Sequence, residues 1–84
     1  MRSSKNNSEV KKVPTIDMTL TGKNIKRLRR ERGLTVSAIT EYMGFSSPRA
    51  VYKWQNGESL PSVDNLFALS VLLGVTMDEI IVAR

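Results

Sequence analysis

Cysteine and histidine are both missing from the 84 residues. Their absence removes disulfide frameworks, thiol nucleophiles, imidazole general bases and the usual zinc ligand sets together. No long apolar run compensates. The nearest approach, residues 67–75, is interrupted by Ser70 and Gly74 and falls well short of the ~20 residues that a membrane span requires. The first ten positions are polar and lack the apolar centre of a secretion signal. The expectation is a cytoplasmic, non-membrane protein with no cofactor and no metal, and most small-enzyme chemistries leave with the missing side chains.

What is present describes one small globular domain, with 40% hydrophobic and 25% charged residues. At this length folding buries only about 60% of the extended chain's surface, so short helices are the most economical architecture. The net charge of +5 is unevenly placed: the first 33 positions hold 10 basic and 3 acidic residues, and the remaining 51 hold 3 and 5. Clustered Lys and Arg suit a polyanion, because they replace condensed counterions on phosphates. A solvated helix plus a soluble tail accounts for the same asymmetry. An anionic membrane is a poorer match, since residues 23–32 offer only Ile25 and Leu28 as apolar anchors.

Along the chain, residues 1–12 are rich in Ser, Asn and Lys and carry too little apolar surface to order themselves. They read as a basic arm. Residues 13–20 loosely alternate and suggest an extended segment, so the flexible arm is assigned to 1–20 and the folded domain to 21–84. Helix one is expected to start at the cap Thr21, to place Ile25 and Leu28 on one face and to stop at Gly33. Thr35 and Gly44 bracket a second helix with Ala38, Ile39, Tyr42 and Met43 as its apolar face. Ser47 caps a third with Pro48 at its first position, running to about Asn56. Ser62 opens a fourth, whose apolar set is Val63, Leu66, Phe67, Leu69, Leu72 and Leu73, ended by Gly74. Thr76 and Glu79 form a Thr-x-x-Glu capping box for a short fifth helix carrying Ile80 and Ile81. The fold class is therefore all-α, with five helices and short connections.

Two short helices joined by a glycine-containing turn, behind a basic helix, outline a helix-turn-helix. Its second helix must bury one stripe and leave the opposite face polar enough for a major groove. At ~100° per residue, Pro48, Trp54 and Gln55 fall within about 60° of Val51, while Arg49, Lys53 and Asn56 fall on the far side. Val51 and Trp54 are thus core residues, and the Trp is not a stacking platform for single-stranded bases. Arg49 and Lys53 can donate to guanine O6 and N7, Ala50 can touch a thymine methyl, and Ser47 and Tyr52 reach the rim. Taken singly, each cation is an ordinary surface charge; the arrangement makes the case. The phosphate candidates are Lys23, Lys26, Arg27, Arg29, Arg30 and Asn56. Lys5, Lys11 and Lys12 can enter an adjacent minor groove or form an inert tail.

Residues 22–35 (GKNIKRLRRERGLT) and 51–80 (VYKWQNGESLPSVDNLFALSVLLGVTMDEI) resemble the Xre family of Cro and phage-repressor helix-turn-helix proteins. The carriers are Ile25, Leu28, Arg29, Gly33-Leu34, Lys53-Trp54-x-Asn56-Gly57, Leu60-Pro61 and Leu72-x-Gly74-Val75. The resemblance implies a five-helix lambda-repressor-like domain that binds double-stranded operator DNA, usually as a homodimer, in bacteria or their phages. Three departures accompany it. Val36 stands where the family commonly has a phosphate-binding Gln. The segment 44–51 is one residue longer, with Pro48 inserted. The family's Arg–Glu ion pair becomes Arg29 facing Gln55, which leaves Arg29 as a strut or as a phosphate contact.

The sequence reading is a non-enzymatic transcriptional regulator, most simply a repressor, with no small-molecule substrate. Its dimer contacts are expected on helix five (Met77, Ile81, Val82) or on residues 13–20, unless these only complete the core. The alternative is a protein-binding module on the same fold, such as an antitoxin or anti-regulator, with Met18, Met43 and Met77 as adaptable contacts. Asp78 and Glu79 are adjacent carboxylates at a helix start, which capping and the helix dipole explain without catalysis.

Overall fold

The computed structural model describes residues 13–84. Its elements are α1 (Met18–Glu31), α2 (Val36–Met43), α3 (Arg49–Gln55), α4 (Val63–Leu73) and α5 (Met77–Ile80). Four of the five N-termini are capped by a side chain that accepts a backbone N–H: Asp17, Thr35, Ser62 and Thr76. Thr76 and Glu79 satisfy each other's orphan amides in a complete capping box. Gly44 closes α2 at φ +76°, a left-handed conformation that is costly for any residue with a Cβ.

Two starts differ from the sequence reading. α1 begins at Met18, not after Thr21, because Asp17 accepts from the Leu20 amide at 2.9 Å. The boundary expected between residues 20 and 21 therefore falls inside a helix. Thr21 is instead buried one turn in, where its hydroxyl accepts the Val82 N–H at 2.9 Å. At α3, Pro48 takes the cap position without a side-chain hydrogen bond, and Ser47 Oγ accepts only a long 3.4 Å contact from the Arg49 amide.

The core is formed by Ile25 and Leu28 of α1, Ile39 of α2, Val51 and Trp54 of α3, Leu66, Leu69 and Leu73 of α4, and Ile80 of α5. Removing each such side chain from water stabilises the fold by about 1.5–3 kcal/mol. α1 and α3 approach closely at Gly22, where an added Cβ would lie 2.4 Å from the Trp54 carbonyl oxygen. Phe45, in the turn before α3, meets the Trp54 ring edge-on at 5.8 Å between centroids, which closes the turn over the core.

α1 also ties down the C-terminal elements. Asn24 Nδ2 donates to the Glu79 and Ile80 carbonyls at 2.8 and 2.9 Å, and Arg32 Nε donates to the Leu73 carbonyl at the end of α4. These contacts answer carbonyls that the helix ends leave without partners. Residues flanking the helices complete the closure: Ile16 bridges Ala83 antiparallel, with the Asp17 amide on the Val82 carbonyl and the Arg84 amide on the Thr15 carbonyl, both at 2.8 Å. The two segments read from sequence as dimer candidates are thus bound to each other. Met77 and Ile81 pack against the core.

α4 departs most from expectation. It buries Leu66, Leu69, Ser70 and Leu73, a stripe at i, i+3, i+4 and i+7. Val63 and Phe67 belong to a neighbouring stripe and stand 74% and 60% exposed. The expected apolar set covered more of the helix than one packing face can bury.

Candidate nucleic-acid interface

The turn between α2 and α3 sets the angle at which α3 leaves the domain. The Phe45 amide bonds back to the Thr40 carbonyl at 3.1 Å, and Gly44 reverses the chain. Val51 at 0% and Trp54 at 4% exposure then fix the inner face of α3. With these two positions buried, residues half a turn away must point to solvent. Arg49, Lys53 and Asn56 are exposed, Tyr52 is 49% exposed on one flank, and Ala50 is half-buried on the other.

Ser47, Arg49, Ala50 and Lys53 come together around one shallow open groove, whose remaining wall is the turn residues Gly44, Phe45 and Ser46. Among the described residues, neither Arg49 nor Lys53 is engaged in an ion pair. Two cations one helical turn apart, with their charges uncompensated, make this the electropositive edge of the helix-turn-helix. Tyr52 lies outside the groove lining, and Asn56, at the far end of α3, donates to the Glu58 carboxylate at 3.4 Å. Phe45, in the turn before α3, both packs on Trp54 and lines the groove.

The phosphate candidates of α1 are dispersed. Arg29 is partly buried against α3: its Nε donates to Gln55 Oε1 at 2.7 Å and its Nη1 to the Leu34 carbonyl at 2.8 Å. Arg27 pairs with Glu31 at 2.8 Å and donates to Asn24 Oδ1 at 2.6 Å. Lys23 and Arg27 line a different depression, shared with Glu79, Ile81 and Val82 beside α5. Lys26 and Arg30 are exposed on the outer side of α1. Lys5, Lys11 and Lys12 lie outside the described residues.

With this geometry in place, the helix-turn-helix family model HTH_3 matches residues 25–80. The chain belongs to the HTH_3 helix-turn-helix family of DNA-binding transcriptional regulators. The match runs from the first core residue of α1 to the last residue of α5, so it takes in the whole HTH_3 core. A relative from Sinorhizobium fredii, the uncharacterized HTH-type transcriptional regulator y4dJ, is 37% identical over 62 residues, which is 74% of this chain and 79% of that one.

Solved structures agree on the fold. The restriction-modification controller protein C.AhdI from Aeromonas hydrophila superposes with a TM-score of 0.69 at 22% identity, over 76% of this chain and 96% of its own. The P22 c2 repressor, crystallised with a synthetic operator, gives 0.66 at 28% identity, over 71% and 89%. The hydroxypropylphosphonic acid epoxidase from S. wedmorenis gives 0.71 at 20% identity, over 80% of this chain but 35% of the enzyme. At 22% and 20% identity, the likenesses to C.AhdI and to the epoxidase are of fold alone. No described helix of this HTH_3 protein is long and apolar enough to cross a membrane.

Proposed function

We propose that this HTH_3 protein reads operator DNA in a sequence-specific manner by laying α3 in the major groove, and that it represses transcription by occupancy, without catalysis. The observation that carries this reading is the pairing of a buried Val51/Trp54 stripe with an opposite face that presents Arg49 and Lys53, with Ala50 on its flank and Ser47 in the turn before it. The buried stripe holds the helix rigid, and the exposed cations suit guanine edges. The operator in the P22 c2 repressor crystal supports carrying this activity over. Arg29 is an α1 cation hydrogen-bonded to the recognition helix through Gln55. We further propose that the chain works as a homodimer on a near-palindrome, one recognition helix per half-site.

Fluorescence anisotropy on duplex DNA at increasing salt tests the proposal. Affinity should fall steeply with salt, and Arg49→Ala and Lys53→Ala should each remove about 1–3 kcal/mol of discrimination between cognate and scrambled duplexes. Binding that ignores both salt and these substitutions would favour the protein-binding alternative. Of the three methionines that reading uses, Met43 and Met77 are packed against the core, and Met18 is half-buried at the start of α1.

A further inference from the structure

The groove between α3 and the turn before it is lined by side chains of three kinds. Arg49 and Lys53 supply charge, and Ser46 and Ser47 supply hydroxyls from the turn. Phe45 and Ala50 complete the lining; both are half-buried apolar side chains that pack inward against the core and still reach the groove. A guanine edge engages the cations through its O6 and N7 acceptors and leaves this apolar strip without a partner. In the major groove the one apolar feature of a base edge is the 5-methyl of a pyrimidine.

The strip is fixed in place. The Phe45 amide is held by the Thr40 carbonyl at 3.1 Å, its ring meets Trp54 edge-on at 5.8 Å, and Ala50 adjoins the buried Val51. Neither side chain can turn away from the groove without disturbing the core. Residues 46–48, where this chain is one longer than the family's usual spacing, span the distance from Phe45 to Arg49, and Pro48 takes no part in the lining. Ala50 lies between the two cations in sequence. They are roughly 6 Å apart along the helix axis, against about 3.4 Å between stacked bases, so a base seated on Ala50 adjoins a guanine read by one of them.

Thymine and 5-methylcytosine share the methyl and differ beside it, where thymine O4 accepts and the cytosine amino group donates. A serine hydroxyl serves either, as donor or as acceptor. Ser47 Oγ is engaged only by the long 3.4 Å contact from the Arg49 amide, so the turn keeps hydrogen-bonding capacity for both bases. We infer that Phe45 and Ala50 form a seat for a pyrimidine 5-methyl next to a guanine, so that this protein accepts thymine and 5-methylcytosine alike at that position and discriminates against cytosine. Phe45 is then a specificity-determining residue, and methylation of cytosine within the site raises affinity. The inference deepens the operator reading above and rests on it.

Fluorescence anisotropy tests it on duplexes carrying one half-site of the consensus that the unmodified chain selects. Each thymine is replaced in turn by uracil, which removes only the methyl, and by cytosine or 5-methylcytosine paired with guanine. At one position beside a guanine, uracil should weaken binding about fourfold, the effect of burying one methyl-sized group, and 5-methylcytosine should bind about fourfold more tightly than cytosine. Ala50→Ser places a hydroxyl against the methyl and Phe45→Ala removes the apolar wall. Each should bring both ratios to about one, whatever it does to overall affinity, while Phe45→Leu, which keeps an apolar wall, should retain them. A purely structural role of Phe45 would weaken all duplexes equally and leave the ratios intact. The inference is overturned by binding that depends on Arg49 and Lys53 yet is blind to the methyl at every pyrimidine, or by methyl ratios that survive Ala50→Ser or Phe45→Ala; either result leaves the operator reading standing. Selection of no duplex at all would overturn both.

Discussion

Arg29 of α1 and Gln55 of α3 are joined by a 2.7 Å hydrogen bond from Nε to Oε1, and the same guanidinium holds the Leu34 carbonyl. One cation thus links the first helix, the entry to the second and the end of the recognition helix. Because its partner is a neutral amide, the charge of Arg29 is oriented but not cancelled.

Gln55→Glu should convert this link into a partly buried ion pair. Stability is expected to rise by about 1 kcal/mol at low salt, with a smaller gain at high salt, since such pairs are screened. Thermal denaturation of both proteins at two ionic strengths checks it. Arg29→Ala should cost about 1–3 kcal/mol by leaving the Leu34 carbonyl and the Gln55 amide without their partner.

Gly22→Ala should be more damaging than its size suggests. The new Cβ would meet the Trp54 and Gln55 carbonyl oxygens at 2.4 and 2.7 Å, and backbone cannot swing aside as a flexible side chain can. Overpacking of this kind costs about 1–3 kcal/mol and should push α3 away from α1, so DNA affinity falls together with the denaturation midpoint. Gly33→Ala makes the contrast: it meets nothing within 4 Å, and its positive φ alone should cost about 1 kcal/mol without loss of DNA affinity.

Trp54→Ala should remove about 3–5 kcal/mol by opening a cavity beneath α3 and stripping Phe45 of its ring contact. Chemical denaturation followed by circular dichroism measures the loss. In the unmodified chain the single, nearly buried Trp54 serves as the fluorescence reporter of the same transition.

Thr21→Val keeps the shape of the side chain and deletes the hydroxyl that accepts the Val82 amide. A buried donor left unpaired costs about 1–3 kcal/mol. The effect should concentrate where the terminal segments pair, so hydrogen exchange at Val82 should accelerate well before that of α1 or α4 core amides.

These effects divide by what a sequence can express. Thr35 with Gly44, Ser62 with Gly74, and the Thr76–Glu79 box are signals that act within one turn of helix, and they mark α2, α4 and α5 where the structure has them. The face of α3 follows from the same local logic, because Val51 and Trp54 leave only one side for Arg49 and Lys53. The start of α1 was hidden because two residues, Asp17 and Thr21, both have capping chemistry. What distinguishes them is a bond that the Thr21 hydroxyl accepts from the Val82 amide, 61 residues away. Periodicity likewise could not choose between the two adjacent stripes of α4, since both are apolar and only packing decides which is covered. The scatter of the α1 cations has the same origin: whether Arg27 faces α5 or Arg29 faces α3 depends on neighbours brought in by the fold.

Selection of bound duplexes from a random pool, repeated with Arg49→Ala and Lys53→Ala, tests most directly whether α3 reads bases. The unmodified chain should enrich a consensus containing guanines, and each substitution should erase preference at its own position while leaving the rest of the motif. Recovery of one unchanged consensus from all three proteins, or of none at moderate salt, would contradict the assignment of that face to the major groove.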